Sequence, residues 1–315
     1  MIYFLLHPFI RLAIKIFCYK IVVNRTDFFS EEGPILITAN HPDSFLDAII
    51  IAAYFKRPIH FLARGDAFNK PWHSVLLRAL HMFPVYRLSE GKENLGLNST
   101  AFVKSKNVLQ QNGVVLIFIE GICLNKNSLQ PFKKGAARIA YQCWADQIPV
   151  RVLPIRLNYN SFSSFGKKVS MQVGNFLVQK ELLVYEEEAK NYIHFNQQVN
   201  NCLESLEPIN ISTEKHSPFF IPLGFVGKFL HRPLYRLIKK FVQQKTRGTV
   251  FYDSVLFGLL FLLYPVYLFL IAQILSAFNF SPAFIFGVLI LHPITAYFAT
   301  QNKANEISEA NQSFH

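Results

Sequence analysis

Cysteine is scarce in this chain and follows no pattern. The 315 residues contain four cysteines, Cys18, Cys123, Cys143 and Cys202, with neither a Cys-x-x-Cys pair nor zinc-ligand spacing to a histidine. The sequence therefore indicates neither a metal site nor a disulfide framework. Free cysteines fit a reducing compartment best.

Acidic residues are also few. Lysine and arginine number 32 against 20 aspartates and glutamates, which gives a formal net charge of +12. This excess favours nucleic acid, an anionic membrane or a phosphorylated substrate as a partner. Residues 215–252 include eight lysines or arginines and no acid. Because this segment adjoins the most apolar part of the chain and lacks a nucleic-acid motif, we expect it to meet anionic lipid headgroups and predict no nucleic-acid partner.

Charge is missing altogether from residues 254–275, a run of 22 residues. As a helix this run can cross a hydrocarbon core of about 30 Å. Residues 282–299 are a second, shorter candidate, and the six residues between the two allow only a hairpin. A buried helical pair in a soluble protein is the alternative. The positive-inside rule predicts an integral membrane protein whose preceding domain lies on the cytoplasmic face.

Residues 1–23 are apolar apart from a narrow polar stripe. His7, Arg11 and Lys15 follow one another at four-residue steps, which predicts an amphipathic helix lying in a membrane interface. A signal peptide is the alternative, but it would place positive charge before the apolar core and a small-residue cleavage site after it.

The apolar content of 51% and the aromatic content of 15% exclude a disordered chain. Strand-like apolar runs alternate with helical patterns over residues 24–210, which predicts an α/β domain with a sheet flanked by helices. Helices are expected over residues 44–55, 93–111, 133–145 and 186–206. The predicted organisation is an anchoring helix at 1–23, a catalytic domain at 24–210, a basic juxtamembrane segment at 211–249, a transmembrane hairpin at 250–300 and a polar tail at 301–315.

The octapeptide NHPDSFLD, residues 40–47, combines an imidazole, a proline and two carboxylates between two apolar runs. On one continuous helix His41 and Asp47 would be about 240° out of phase. Pro42 disfavours helical dihedrals at His41, and Asp43 or Ser44 can cap the helix that follows. His41 then lies on a loop and Asp47 in the first helical turn, where the imidazole can fold back over the carboxylate.

A histidine held by an aspartate can act as a general base. The spacing implies no serine nucleophile, so such a pair would deprotonate a hydroxyl of the substrate itself. A capped helix with an incidental histidine is the alternative when the octapeptide is considered alone. Cys123 has no histidine paired with it in the sequence, and a buried free thiol is the ordinary explanation for it.

Three further blocks follow this octapeptide. Residues 82–87, MFPVYR, end in Arg87, and residues 118–140 combine Glu120 and Gly121 with the lysine pair Lys133 and Lys134 before a helix. Residues 148–159 form an apolar run interrupted by prolines. All four blocks occur in the order found in the glycerol-phosphate acyltransferase family, and the chain resembles its bacterial 1-acylglycerol-3-phosphate acyltransferase type over roughly residues 35–173.

The resemblance implies an acyltransferase-type sheet and a role for each matching residue. His41 corresponds to the catalytic base and Asp47 to the carboxylate that orients it. Arg87 resembles the phosphate-binding arginine, and Glu120 and Gly121 open the block that binds the acceptor phosphate. Pro154 is similar to a residue on the acyl-donor side.

The chain departs from that type in two places. Five residues separate His41 from Asp47 instead of four, a spacing that resembles the fungal glycerol-3-phosphate acyltransferase type and makes Asp43 a poorer orienting carboxylate. The third block reads Glu-Gly-Ile-Cys and lacks the usual threonine and arginine. Lys133, Lys134 or Arg138 can supply the missing charge, although the two lysines can equally form a solvated face.

The function implied is a membrane-bound O-acyltransferase that moves a fatty acyl group from acyl-CoA or acyl carrier protein to 1-acylglycerol 3-phosphate (lysophosphatidate), as in phospholipid biosynthesis. Glycerol 3-phosphate or another lysolipid is the alternative acceptor. The thioester is already activated, so the reaction requires no metal and no covalent cofactor. A catalytically inactive membrane tether is the rival from another class, and the charge asymmetry disfavours a periplasmic or lumenal hydrolase.

Overall fold

The computed structural model describes residues 2–86, 96, 98–209 and 220–312, the last ten of these by their backbone alone. The strands are β1 (Cys18–Val23), β2 (Ile35–Ala39), β3 (Ile59–Arg64), β4 (Met82–Val85), β5 (Val114–Phe118), β6 (Arg151–Tyr159) and β7 (Lys167–Val173). The helices are α1 (Ile2–Phe17), α2 (Phe45–Tyr54), α3 (Pro71–Ala79), α4 (Asn98–Gln110), α5 (Gly135–Ala145), α6 (Gln179–Leu182), α7 (Glu188–Ser205), α8 (Ile221–Lys245), α9 (Tyr252–Ala277) and α10 (Pro282–Gln312).

The strands form one sheet in the order β1-β7-β6-β2-β5-β3-β4. Every neighbouring pair is parallel except β6 and β7, which are antiparallel. The strand β2 is central and entirely buried, with Ile35 opposite Val114 on one side and Arg151 on the other. A strand buried on both faces is expected to be a continuous apolar run, as residues 35–39 are.

Side chains of β2 alternate between two hydrophobic cores, as the two-residue period of a strand requires. Ile35 and Ile37 point into the first core, which also contains side chains of α1, α2, α8 and α9. Leu36 points into the second core, which contains side chains of α4, α5 and α7. The predicted α/β class, with helices on both faces of a sheet, is confirmed.

Three parallel strands end at one edge of the sheet, β2 at Ala39, β5 at Phe118 and β6 at Tyr159. Because β7 runs in the opposite direction to β6, its first residue, Lys167, lies near the same edge. Open α/β sheets bind their ligands outside the carboxyl ends of the parallel strands. A functional site is therefore expected at this edge.

The predicted helices over 44–55, 133–145 and 186–206 correspond to α2, α5 and α7 within two residues at each end. The predicted helix over 93–111 corresponds to α4, although residues 93–95 and 97 lie outside the described residues. The sequence did not indicate α3, whose nine residues contain no buried side chain. Its apolar residues Trp72, Val75 and Leu76 follow helical spacing but are exposed, and nine residues are fewer than the window of about 11–18 in which such a period is recognised.

One predicted boundary is wrong. The N-terminal helix ends at Phe17 and not at residue 23, because residues 18–23 form β1 at the edge of the sheet. The β-branched residues Ile21, Val22 and Val23 favour a strand once a partner, β7, is available. The backbone of α10 continues to Gln312 through residues that were predicted as a polar tail without a secondary structure.

Two C-terminal helices are long and apolar enough to cross a membrane, Tyr252–Ala277 with 26 residues and Pro282–Asn302 with 21 residues. Many of their large apolar side chains are exposed, among them Leu262, Phe269 and Phe286. The helices α8 and α10 approach each other closely at Gly227, where an added Cβ would lie 1.9 Å from the carbonyl oxygen of Thr295. Small residues allow this kind of close helix packing in membranes.

We predict that Gly227→Ala separates α8 from α10 and costs about 1–3 kcal/mol, the usual range for overpacking. The matched control is Gly258→Ala in α9, where an added Cβ meets nothing within 4 Å. The measurement is thermal unfolding of the full chain in detergent, followed by circular dichroism. Equal melting temperatures for the two variants would contradict the close approach at Gly227.

Candidate active site

The loop between β2 and α2 lies at the carboxyl edge of the sheet and begins with Asn40. The side-chain amide of Asn40 donates to the carbonyl of Leu157 (2.9 Å) and accepts from its backbone N–H (2.7 Å), which continues the pairing of β2 with β6 by one residue. At the other end of the loop, Ser44 has φ +53°, a conformation uncommon outside glycine. The loop is therefore held at both ends before α2 begins.

His41 and Asp47 are in direct contact. The imidazole Nδ1 lies 2.9 Å from Asp47 Oδ2, and the carboxylate is fully buried whereas the imidazole is 16% exposed. An ionised carboxylate only accepts hydrogen bonds, so Nδ1 carries the proton and Nε2 carries the free lone pair. Nε2 has no hydrogen-bond partner among the residues that the structure describes. The imidazole also stacks on Phe118, with ring centroids 3.8 Å apart and planes 12° apart.

Two further donors satisfy Asp47. The backbone N–H of Asp43 donates to Oδ2 (2.8 Å), and the hydroxyl of Tyr159 donates to Oδ1 (2.7 Å). Burial and the nearby carboxylates raise the pKa of Tyr159 well above its usual value, so this hydroxyl remains a donor. Sequence reasoning missed Tyr159, although its place at the end of a strand beside β2 is the signal that could have indicated it.

The predicted cap of α2 is wrong. Ser44 occupies the N-cap position, but its side chain makes no capping hydrogen bond. The side chain of Asp43 is not a cap either, because its Oδ2 lies 2.6 Å from the ammonium of Lys167 and both side chains are fully buried. Asp43 and Lys167 lie 124 residues apart in the sequence, so no local sequence pattern predicts this ion pair.

Glu120 joins the octapeptide loop to the loop after β5. Its carboxylate accepts from the backbone N–H of His41 (3.0 Å) and of Gln130 (2.9 Å). Burial raises the pKa of Glu120, and the two backbone donors oppose that rise. These contacts position the backbone of His41, while the phosphate-binding role expected from the resemblance stays a prediction for this residue.

Gly121 lies against the lysine pair. It has φ +64°, and an added Cβ would lie 2.8 Å from Cγ of Lys133. Lys133 donates its backbone N–H to the carbonyl of Ile119 (2.8 Å), and its side chain is exposed like those of Lys134 and Arg138. Glycine is required where the backbone turns left-handed against a neighbouring side chain. Arg87 lies outside the described residues.

Cys123 belongs to the scaffold of this site. Its Sγ accepts a hydrogen bond from the backbone N–H of Ser44 (3.1 Å). Burial, reinforced by the charge of Asp47, raises the pKa of the Cys123 thiol to about 12. A thiol with such a pKa is protonated at neutral pH and is a poor nucleophile.

The sequence model of the family described as Acyltransferase matches residues 20–158. This range runs from β1 to the penultimate residue of β6 and contains His41, Asp47 and Glu120. Residues 20–158 are therefore similar to an acyltransferase domain. The resemblance drawn from the four sequence blocks is confirmed, and Lys167, β7 and helices α8 to α10 lie outside the matched range.

Two relatives are similar to part of this chain. A protein of Mycoplasma genitalium named probable 1-acyl-sn-glycerol-3-phosphate acyltransferase is 23% identical over 137 residues, which are 42% of this chain and 48% of the relative. A 1-acyl-sn-glycerol-3-phosphate acyltransferase of Borreliella burgdorferi is 23% identical over 165 residues, 52% of this chain and 61% of the relative. The chain therefore spans about half to three-fifths of the length of these two relatives.

Among solved structures, the 1-acyl-sn-glycerophosphate acyltransferase PlsC from Thermotoga maritima is similar with a TM-score of 0.44. The two share 16% sequence identity, and the superposition covers 64% of this chain and 80% of that one.

We predict that Tyr159→Phe destabilises the acyltransferase domain by about 1–3 kcal/mol, because it leaves the buried Oδ1 of Asp47 without its donor. The control is Tyr192→Phe, which removes a hydroxyl that donates to Glu188 on the surface of α7. That change is expected to stay within about 0.5 kcal/mol. Denaturant unfolding of the full chain measures both, and equal losses would show that the Tyr159 hydroxyl has no special partner.

Proposed function

We propose that this chain is a membrane-bound O-acyltransferase that transfers a fatty acyl group from acyl-CoA or acyl carrier protein to the free hydroxyl of 1-acylglycerol 3-phosphate. The observation that carries the proposal is the contact between His41 and a fully buried Asp47 inside an acyltransferase domain. The printed names of the two relatives support the same acceptor.

In the proposed mechanism, Nε2 of His41 accepts the proton of the acceptor hydroxyl as that oxygen attacks the thioester carbon. The carbonyl π electrons move onto oxygen and give a tetrahedral intermediate. Collapse of this intermediate breaks the C–S bond and expels the thiolate, which takes the proton from Nε2. Asp47 stays ionised and stabilises the transient imidazolium. No acyl-enzyme forms, because the acceptor oxygen attacks the donor directly.

A phosphorylated acceptor needs cations near the site. The exposed pair Lys133 and Lys134 follows the loop that Glu120 holds against His41, and the lysines replace the arginine that the third block lacks. Arg87 is proposed as a further phosphate ligand from the resemblance alone. Glycerol 3-phosphate is the alternative acceptor, and the five-residue spacing between His41 and Asp47 favours it.

The apolar surfaces support a lipid substrate and a location in the membrane. The helices α9 and α10 are proposed to cross the bilayer as a hairpin, with the basic α8 and the acyltransferase domain on the cytoplasmic face. An apolar cavity of about 1210 Å³ lies between α1, α8, α9 and α10, and cationic residues of α8 line one side of it. This surface is suited to anionic lipids.

We predict that His41→Ala and Asp47→Asn each lower kcat by about 10²–10⁴-fold, the usual contribution of a positioned general base. Asparagine at position 47 removes the negative charge and favours the wrong histidine tautomer. The measurement is transfer of a radiolabelled acyl group by the full chain in detergent. His194→Ala, at a partly exposed histidine of α7, is the control. Near-normal turnover by His41→Ala would contradict the proposed mechanism.

We predict that replacing Lys133 and Lys134 by glutamine mainly raises the Michaelis constant for the phosphorylated acceptor, because the lysines bind the substrate and do no chemistry. Lys180→Gln, an exposed lysine of α6, is the control. The assay compares 1-acylglycerol 3-phosphate, glycerol 3-phosphate and an uncharged monoacylglycerol. An unchanged Michaelis constant would leave the two lysines as a solvated face, and no turnover of any acceptor would favour a membrane tether.

A further inference from the structure

A buried ionic cluster joins α9 to the octapeptide loop. The ammonium of Lys167, at the start of β7, lies 2.6 Å from Asp43 Oδ2 and also contacts the carboxylate of Asp253, in the first turn of α9. All three side chains are fully buried. The cluster thus links three segments that lie more than 80 residues apart in the sequence.

The cluster is unusual in its charge. One lysine faces two carboxyl groups, and Asp47 is a third acid nearby. Burial raises the pKa of Asp43, a rise that Lys167 opposes and that Asp253 and Asp47 reinforce. Replacing buried ion pairs by apolar residues is often neutral or favourable for stability. Stability alone therefore gives no reason for three ionisable groups at this position.

The residue after Asp253 caps the helix that carries Asp47. The hydroxyl oxygen of Ser254 accepts from the backbone N–H of Leu46 (3.1 Å) and donates to the carbonyl of Asp43 (3.2 Å). The first N–H groups of a helix need an acceptor, usually from the residue that precedes the helix. Here the side chain of Ser44 makes no such bond. The N–H of Leu46 is shared between the carbonyl of Asp43 (3.2 Å) and the hydroxyl of Ser254, which lies 208 residues later in the sequence.

The residues that Lys167 and Ser254 contact, Asp43 and Leu46, lie directly beside the His41–Asp47 pair. The backbone N–H of Asp43 donates to Asp47 Oδ2, the same oxygen that faces Nδ1 of His41. Leu46, whose N–H Ser254 accepts, is the residue directly before Asp47. The ammonium of Lys167 also lies 5.1 Å from the ring centre of Tyr159, which donates to the other oxygen of Asp47.

We propose that three residues are positioning residues for acyl transfer: Ser254, Asp253 and Lys167. Through their contacts, the first turn of α9 holds the His41–Asp47 pair in its reactive geometry. The inference rests on the proposed function for its consequence on turnover. It makes the C-terminal helices part of the catalytic unit as well as its anchor, although all three residues lie outside the matched range 20–158.

The test uses the full chain in detergent and compares Ser254→Ala, Ser254→Thr and the same-helix control Ser276→Ala, whose side chain is exposed at the far end of α9. All are assayed well below their melting temperatures, because loss of a helix cap also lowers the stability of the fold. Ser254→Ala is expected to lower kcat by about 10- to 100-fold, with the Michaelis constants for donor and acceptor unchanged. Ser254→Thr, which keeps the hydroxyl, is expected to retain most of the turnover.

A second measurement does not depend on acyl transfer. In protein labelled with ¹⁵N-histidine, the Nδ1–H of His41 gives a hydrogen-bonded resonance that is assigned by its loss in His41→Ala. Ser254→Ala and Lys167→Met are expected to shift or broaden this resonance, and Ser276→Ala is expected to leave it unchanged. The Ser254 variants decide the question by themselves if Lys167→Met does not fold.

The outcomes separate the two proposals. An unchanged His41 resonance in Ser254→Ala, or a kcat equal to that of Ser276→Ala, overturns the positioning role. A wild-type protein that turns over no acceptor overturns the proposed function, while the His41 resonance still reports whether the first turn of α9 holds the dyad.

Discussion

The buried carboxylate of Asp47 is the constraint on which the rest of this structure depends. A fully buried ion is costly unless hydrogen bonds replace the water it has lost. Asp47 receives three donors, from the imidazole of His41, the backbone of Asp43 and the hydroxyl of Tyr159. These donors come from the octapeptide loop and from β6, so the sheet, the loop and α2 must all be in place before the carboxylate is satisfied.

The helices that look like a membrane anchor in the sequence are also part of the fold. Side chains of α1, α8 and α9 contribute to the first core and cover one face of the sheet. The outer surfaces of α9 and α10 remain apolar and exposed. One set of helices therefore completes the first core with one face and leaves an exposed apolar surface on the other, the surface that the proposed function assigns to lipid.

The extra residue between His41 and Asp47 is accommodated by the backbone. Ser44 has a positive φ, and its backbone N–H donates to Sγ of Cys123, in the loop after β5. Cys123 is also where the third block differs from the usual pattern. The hydrogen bond from Ser44 to Cys123 therefore joins the two segments that depart from the family type. A strained conformation of this kind persists only where the surroundings determine it.

The sequence by itself determined most of the helices and the pairing of His41 with Asp47. Its 3.6-residue apolar period predicts α2, α4, α5 and α7, and the proline in the octapeptide predicts that His41 leaves the helix. Local spacing sets these features, because they depend on residues within one or two turns of one another. The length of the charge-free runs likewise predicts α9 and α10.

Only the tertiary structure decided which groups surround the dyad. Tyr159, Lys167, Asp253 and Ser254 reach the octapeptide from 112 to 211 residues away, and Asp43 pairs with Lys167 instead of capping its own helix. The residues 18–23 continue the apolar pattern of α1 yet form a strand, because β7 offers a free edge. Contacts of this kind arise from how strands and helices pack, and packing has no period in the sequence.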